Sequence, residues 1–413
     1  MNANPDFFSR PYSPNAQGAF LRLVEDIGRT LEPTQNQLDT LERSYNSTGD
    51  FLVNCEEFRG QLEEIHPHGS RAIGTMTRPL RAKEGFDIDL VASLNRTAWA
   101  VYSGPGGATI LLNRLHAAVT RYASQHSLKL HRWERCVTLE YADGMCADIA
   151  PVIEMPHHAA MHGETHGMIP DRELRGFHPT NPRGFTRLFG NIAAISPLFT
   201  ATEALDEVFA DVRKADIVPL PDPDVFGQLL CRLIQVMKLH KGIAFDKATL
   251  ADLAPSSIFI TALAANSYQA KARIPHRDQL GLLLDVIRTM PTMITRIPMG
   301  NGREEWHVEN PTAPGDNFAS SMNQPEKQQA FNQWHAQLLR DVTGLIHTID
   351  QRQGLDQVAR LVSSAFGDKA GAAMRQKENG RQSAARHAGR IATVTASGLV
   401  VPMTAQGHTF FGE

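Results

Sequence analysis

At 413 residues, with 42% hydrophobic and 21% charged side chains, the chain is long enough for two or three cored lobes and has the composition of a soluble globular protein. Forty-one Lys and Arg against 44 Asp and Glu give a net charge of −3, which supplies no global attraction for a nucleic-acid polymer and leaves small anionic substrates as the better fit. No stretch approaches the run of ~20 apolar residues that a membrane helix needs, and the start MNANPDFFSRPYSP lacks the order of a secretory signal, so a cytoplasmic protein is expected. Cys55, Cys136, Cys146 and Cys231 form no CxxC pair, which argues for reduced thiols rather than disulfides or a cysteine zinc site.

In chain order, residues 17–56 carry two helical patterns, the second opened by Thr34 and Gln37 as a capping box behind Pro33, with Leu38, Leu41, Phe51 and Leu52 on its buried side. A Gly69-Ser70 turn and a polar loop then lead into an alternating run from Phe86 to Leu94, which reads as a strand. Helical spacing returns over 108–126. A hairpin follows, RCVTLEY and MCADIAPVI around Asp143-Gly144, and puts Asp148 on a strand. Pro151 is expected at a strand end or edge, because it cannot donate a ladder hydrogen bond. From about residue 200 helices dominate: EALDEVFADVRKAD, VFGQLLCRLIQVMKLHK, SSIFITALAANSYQA and EKQQAFNQWHAQLLRDVTGLIHTI. Residues 368–413, rich in Gly, Ala, Ser, Gln and Arg without apolar periodicity, read as a mobile tail.

Period-two alternation aims Asp87 and Asp89 to one side of their strand while Phe86, Ile88 and Leu90 take the other. Two carboxylates brought together repel unless a cation neutralises them, and an oxygen-lined site suits magnesium bound beside substrate phosphates. Asp148 on a neighbouring strand would complete a two-metal site, with the ions about 3.5–4 Å apart. An Asp-x-Asp alone is weak, and the sequence holds a second, Asp222 and Asp224, in the proline-rich PLPDPDVF, read as a turn and helix start. Only the first pair has a strand, an upstream Gly-Ser turn and a downstream acidic strand. In that turn, backbone N–H groups and the Ser70 hydroxyl can approach triphosphate oxygens where a helix begins.

With HGS, FDIDL and ADIAPVIE in this order, followed by IPD, HPTNPRGF, LLCRLIQVMKLHK, SSIFITALAA and NPTAPGDNF, roughly residues 60–320 resemble the CD-NTase family. These are polymerase-β-like nucleotidyltransferases, the bacterial relatives of cyclic GMP-AMP synthase. The resemblance implies an α+β nucleotidyltransferase core, a small mixed sheet with helices, joined to a C-terminal helical lobe with the active site in the cleft between them. It implies that Asp87, Asp89 and Asp148 bind two Mg2+ ions, with Mn2+ able to substitute, and act as the catalytic acids. Gly69 and Ser70 would contact the donor triphosphate, as would Lys238 and Ser257, the latter ahead of Ser256. The expected chain divides into N-terminal helices over 1–57 that pack across both lobes, the core over 58–200, the helical lobe over 201–367 and the tail over 368–413.

The implied function is condensation of ATP, GTP or other ribonucleoside triphosphates into a cyclic di- or trinucleotide messenger in antiphage (CBASS) signalling. The rivals are a linear oligonucleotide synthetase and a nucleotide-sensing module without turnover. An accessory regulatory protein acting on the C-terminal tail is a further implication, although the end in Gly412-Glu413 departs from a small terminal residue suited to conjugation. His157, His158, His162 and His166 lack the HExxH order and read as a solvated loop, and Asn310 and Asn317 read as turn formers.

Overall fold

A computed structural model of the chain describes residues 12–78, 86–142, 144–155, 165–200, 229–387, 391–394 and 400–403. Helix α1 (Pro14–Leu31) and helix α2 (Gln35–Asn54) open the fold, the second through the full capping box: the Thr34 hydroxyl accepts from the Gln37 N–H, and the Gln37 side chain accepts from the Thr34 N–H at 2.9 Å. Strand β1 (Leu62–His68) runs into the one-turn helix α3 (Gly69–Ala72), and β2 (Asp87–Leu94) follows. Helices α4 (Arg96–Tyr102) and α5 (Gly107–His126) cover the back of the sheet, and the strands continue as β3 (Lys129–Arg132), β4 (Val137–Glu140), β5 (Cys146–Glu154), β6 (Gly167–Asp171) and β7 (Gly176–Thr180).

The strands form a seven-stranded sheet in the order β1-β2-β5-β4-β3, with β6 and β7 added beside β5. Only the central β2–β5 pair is parallel; the other pairs are antiparallel. Strand β5 pairs with β4 through Ile149 and with β6 from Ile153 onward. Pro151 lies in the gap between them, paired only with Ala92 of β2. The proline therefore sits in the interior of a central strand rather than at its end, at a point where one side of that strand has no ladder to satisfy. Strand β1, which the sequence reading passed over, tolerates Pro67 because it lies at the sheet edge.

Helix α6 (Pro182–Ala193) leads to the helical lobe, built from α7 (Leu229–Ala244), the short α8 (Ala248–Ala251), α9 (Ser257–Lys271), α10 (Gln279–Thr289), a hairpin of β8 (Thr295–Gly300) and β9 (Arg303–His307), α11 (Pro325–Asp350) and α12 (Leu355–Phe366). Helix α9 is apolar nearly all round, with Phe259, Ile260, Leu263, Ala264 and Tyr268 buried, as a helix at the centre of a bundle should be. Two apolar cores result. One joins α2, α4, α5 and the sheet; the other joins α1 and α6 to the helical lobe.

The tail expectation fails over its first half, where residues Asp368–His387 form helix α13. Ala370 and Met374 are buried, and Lys377 and Arg381 reach Asp26 of α1 at 3.0 and 2.7 Å. Ala, Gln, Lys and Arg are strong helix formers, so propensity and ion pairing anchor this helix without an apolar stripe. A small hairpin, β10 (Ile391–Val394) and β11 (Val400–Met403), follows it. The expected helix over EALDEVFADVRKAD, the Asp222 and Asp224 pair, Asp143, His157, His158, His162 and the terminal FFGE lie outside the described residues. Among those residues no helix is long and apolar enough to cross a membrane.

Candidate active site

Between the two cores lies a cleft of ≈ 910 Å³, near the top of the roughly 300–1,000 Å³ range of ligand pockets. The sheet lobe contributes Gly69, Ser70, Asp87, Asp89 and Asp148, and the helical lobe contributes Lys238, Ser257 and Thr261. All seven site residues expected from sequence therefore meet in one place.

Register explains the acidic wall. Asp89 lies opposite Asp148 across the parallel β2–β5 pair, and Asp87 lies opposite Cys146, so all four side chains share a face. Phe86, Ile88 and Leu90 are buried on the other face, as the alternation required. Burial, then Asp148 and Asp87, push the Asp89 carboxyl up to about 6, against the pull of Lys238 and the Ser70 backbone N–H. Burial also raises Asp148, whose carboxylate accepts a short hydrogen bond from Thr138 that works in the opposite direction.

Gly69 has a specific reason to be glycine. Its φ is +63°, and a Cβ there would stand 1.7 Å from Oδ2 of Asp89. The Gly-Ser turn thus lets a carboxylate press against the backbone, while the Ser70 N–H caps it. His68, at the end of β1 and opposite Asp89, also lines the cleft, and burial, then His66, hold its imidazole down at about 4.

Across the cleft, Lys238 is only 9% exposed, and its ammonium donates to the carbonyl and hydroxyl oxygens of Thr75 at 3.1 and 2.9 Å. Burial, then Lys241, lower it to about 8, with Asp89 opposing. Lys241, one helical turn further along α7, donates to the Ser257 hydroxyl at 3.1 Å and is lowered by burial. Sequence reasoning missed Lys241. Its spacing three after Lys238 places it on the same helix face, which was the available signal. Ser256 is committed elsewhere, since its hydroxyl caps α9 by accepting from the Phe259 N–H. Asn310 and Asn317 close a turn beside Trp306, as the turn reading expected.

The donor set is oxygen-only, lies on one face and repels itself, which suits a hard divalent cation. Among the described residues no three His, Cys, Asp or Glu side chains form a ready-made ligand cluster. Asp148 accepts from the Thr138 hydroxyl and Asp89 from the Ser70 N–H.

A family model for the Second Messenger Oligonucleotide or Dinucleotide Synthetase domain, SMODS, matches residues 18–191, from α1 through the sheet to α6. A c-di-GMP synthase of Roseivirga ehrenbergii is 22% identical over 358 residues, covering 86% of this chain and 86% of the relative. The cyclic dinucleotide synthase CdnG of Bradyrhizobium diazoefficiens is 24% identical over 383 residues, covering 86% of this chain and 85% of the relative. Among solved structures, B. diazoefficiens CdnG in complex with GTP shares the fold at a TM-score of 0.60 and 19% identity, over 87% of this chain and 98% of that one. E. coli CdnC in its complex with HORMA-deltaN does so at 0.53 and 15% identity, over 85% and 96%. Residues 18–191 thus match a SMODS domain, and over both lobes the chain is similar to cyclic dinucleotide synthases of the CD-NTase family, nucleotidyltransferases that make cyclic oligonucleotides.

Proposed function

We propose that this enzyme condenses ribonucleoside triphosphates, GTP among them, into a cyclic dinucleotide in the cleft between its lobes, with two Mg2+ ions held by Asp87, Asp89 and Asp148. The observation that carries the reading is the facing arrangement: a register-paired carboxylate wall opposite the buried Lys238, with Lys241 bonded to Ser257 beside it, which suits a metal-bound triphosphate lying between them. The names of the relatives, c-di-GMP synthase and cyclic dinucleotide synthase, favour two nucleotides over three.

When bound, the metal pair would activate an attacking ribose hydroxyl and steady the departing pyrophosphate. The protein's own groups do the positioning. Gly69 leaves room for Asp89, and the α3 turn with Ser70 faces the phosphates. Lys241 and Ser257 form a donor pair for phosphate oxygens at the N-terminus of α9, where the helix dipole also favours anions. Lys238, deeper in the cleft, ties α7 to the segment after α3 through Thr75 and adds positive charge behind the triphosphate.

Purified protein given Mg2+ and labelled ribonucleotides should release pyrophosphate and form a phosphatase-resistant product. Asp87→Ala/Asp89→Ala should abolish both. A phosphatase-sensitive product would instead identify a linear oligonucleotide synthetase, and tight binding without pyrophosphate release a sensing module. The same proposal includes antiphage signalling, tested by plaque counts on cells expressing the enzyme with its genomic neighbours, and regulation by an accessory protein at the C-terminal end.

A further inference from the structure

Among the described residues, the hydrogen bond that holds the Asp148 carboxylate comes from a side chain. On one side Asp148 lies opposite Asp89, which repels it, and on the other it lies opposite Thr138 of β4. The Thr138 hydroxyl, on a residue 6% exposed, donates to Oδ1 of Asp148 and accepts from the indole Nε1 of Trp133 at 2.8 Å. The order of donors in this chain is fixed by chemistry. An indole N–H can only donate and a carboxylate can only accept, so the single hydroxyl proton must point from Thr138 to Asp148. Trp133 is 53% exposed on the β3–β4 turn, so burial of its ring is not what places it there. Its polar atom is nonetheless committed to this hydroxyl.

We propose that Thr138 is a positioning residue for Asp148, oriented by Trp133, and that the pair sets the affinity of the divalent-cation site by holding one carboxylate oxygen so that the other faces the cleft. The proposal rests on the metal-site reading above. Thr138 is β-branched and sits on a strand, which leaves its hydroxyl little rotational freedom. A tether of this kind counters the repulsion from Asp89 before any cation arrives. Partners that hydrogen-bond a ligating carboxylate typically contribute 10–100-fold to metal affinity.

The test measures Mn2+ binding to the full chain by electron paramagnetic resonance in the presence of a non-hydrolysable triphosphate, with kcat and KM for the triphosphate at limiting and saturating metal. Thr138→Val keeps the shape and loses the hydroxyl; it should weaken Mn2+ binding about 10-fold, and excess metal should restore kcat. Thr138→Ser should bind within about 3-fold of the parent, rescuing the loss. Trp133→Phe, at an exposed site that leaves folding intact, should give a smaller weakening that vanishes in the Thr138→Val background, and it carries the test if Thr138→Val does not fold. Asp148→Asn serves as the control. If Asp148→Asn loses Mn2+ while Thr138→Val and Trp133→Phe bind it like the parent, the positioning role is wrong and the metal site stands. Equal weakening by Thr138→Ser and Thr138→Val would reduce Thr138 to a packing residue and overturn the role as well. If Asp148→Asn itself retains full Mn2+ affinity, the metal-site reading fails and the tether fails with it.

Discussion

At the scale of single residues, Gly69 is the position where one methyl group decides most. A Cβ there would fall on the Asp89 carboxylate, and the positive φ adds backbone strain. Gly69→Ala should therefore lower kcat roughly 100-fold, the loss that a misplacement of about 1 Å can cause, while circular dichroism stays that of the parent. Lys238 supports a second measurement. Its ammonium, lowered to about 8 by burial and by Lys241, is largely deprotonated at about pH 8.5 in the free enzyme, and a nearby triphosphate favours its charged form. Nucleotide binding at that pH should take up a proton, read as a buffer-dependent calorimetric enthalpy, and Lys238→Met should remove the uptake. Asp89, at about 6, is already ionised there and does not confuse the result. The acids were legible because a period of two is printed in the sequence, whereas Thr138 and Lys241 acquire meaning only through partners 10 and 16 residues away.

At the scale of elements, Asp171 and α13 show how polar contacts anchor pieces that hydrophobic pattern does not. Burial opposes ionisation of Asp171, yet the Leu174 N–H and the Arg135 guanidinium at 2.6 Å outweigh it and hold the carboxyl below its ordinary value. A depressed carboxyl contributes stability above its unfolded pKa, and that contribution is lost as pH falls through the folded value. Asp171→Asn should thus destabilise the protein at pH 7 and narrow that gap in acid, as measured by urea unfolding at several pH values. For α13, Asp26→Asn removes the partner of both Lys377 and Arg381. The cost should be below about 1 kcal/mol, since both cations are more than a third exposed. Amide exchange in 368–387 should quicken more than in α10 or α11. Helices α2, α5 and α11 were legible from caps and apolar spacing. Helix α13 was not, because what it buries is mostly small and what holds it is charge.

At the scale of the whole molecule, two cores face each other across a cleft whose walls carry opposite charge. On the function proposed above, a cation and a triphosphate arriving together would relieve both walls. GTP with Mg2+ should raise the melting temperature by more than the sum of either alone, and a chelator should abolish the increment. At a concentration 100 times Kd the stabilisation would be about 2.7 kcal/mol. That a mixed sheet is followed by a helical region could be read in the change from alternating to helical periodicity; how the two walls are brought together could not, because it depends on how α7 grips residues 73–76. The parallel register of β2 and β5 has one more consequence. A slip of a single residue would carry Ile88 or Ile149 into the cleft and turn an aspartate into the core, so a misregistered chain has both a broken interior and no chemistry. Turnover per refolded molecule should accordingly be bimodal, full or nil, which makes the reaction a proofreading signal for correct strand pairing.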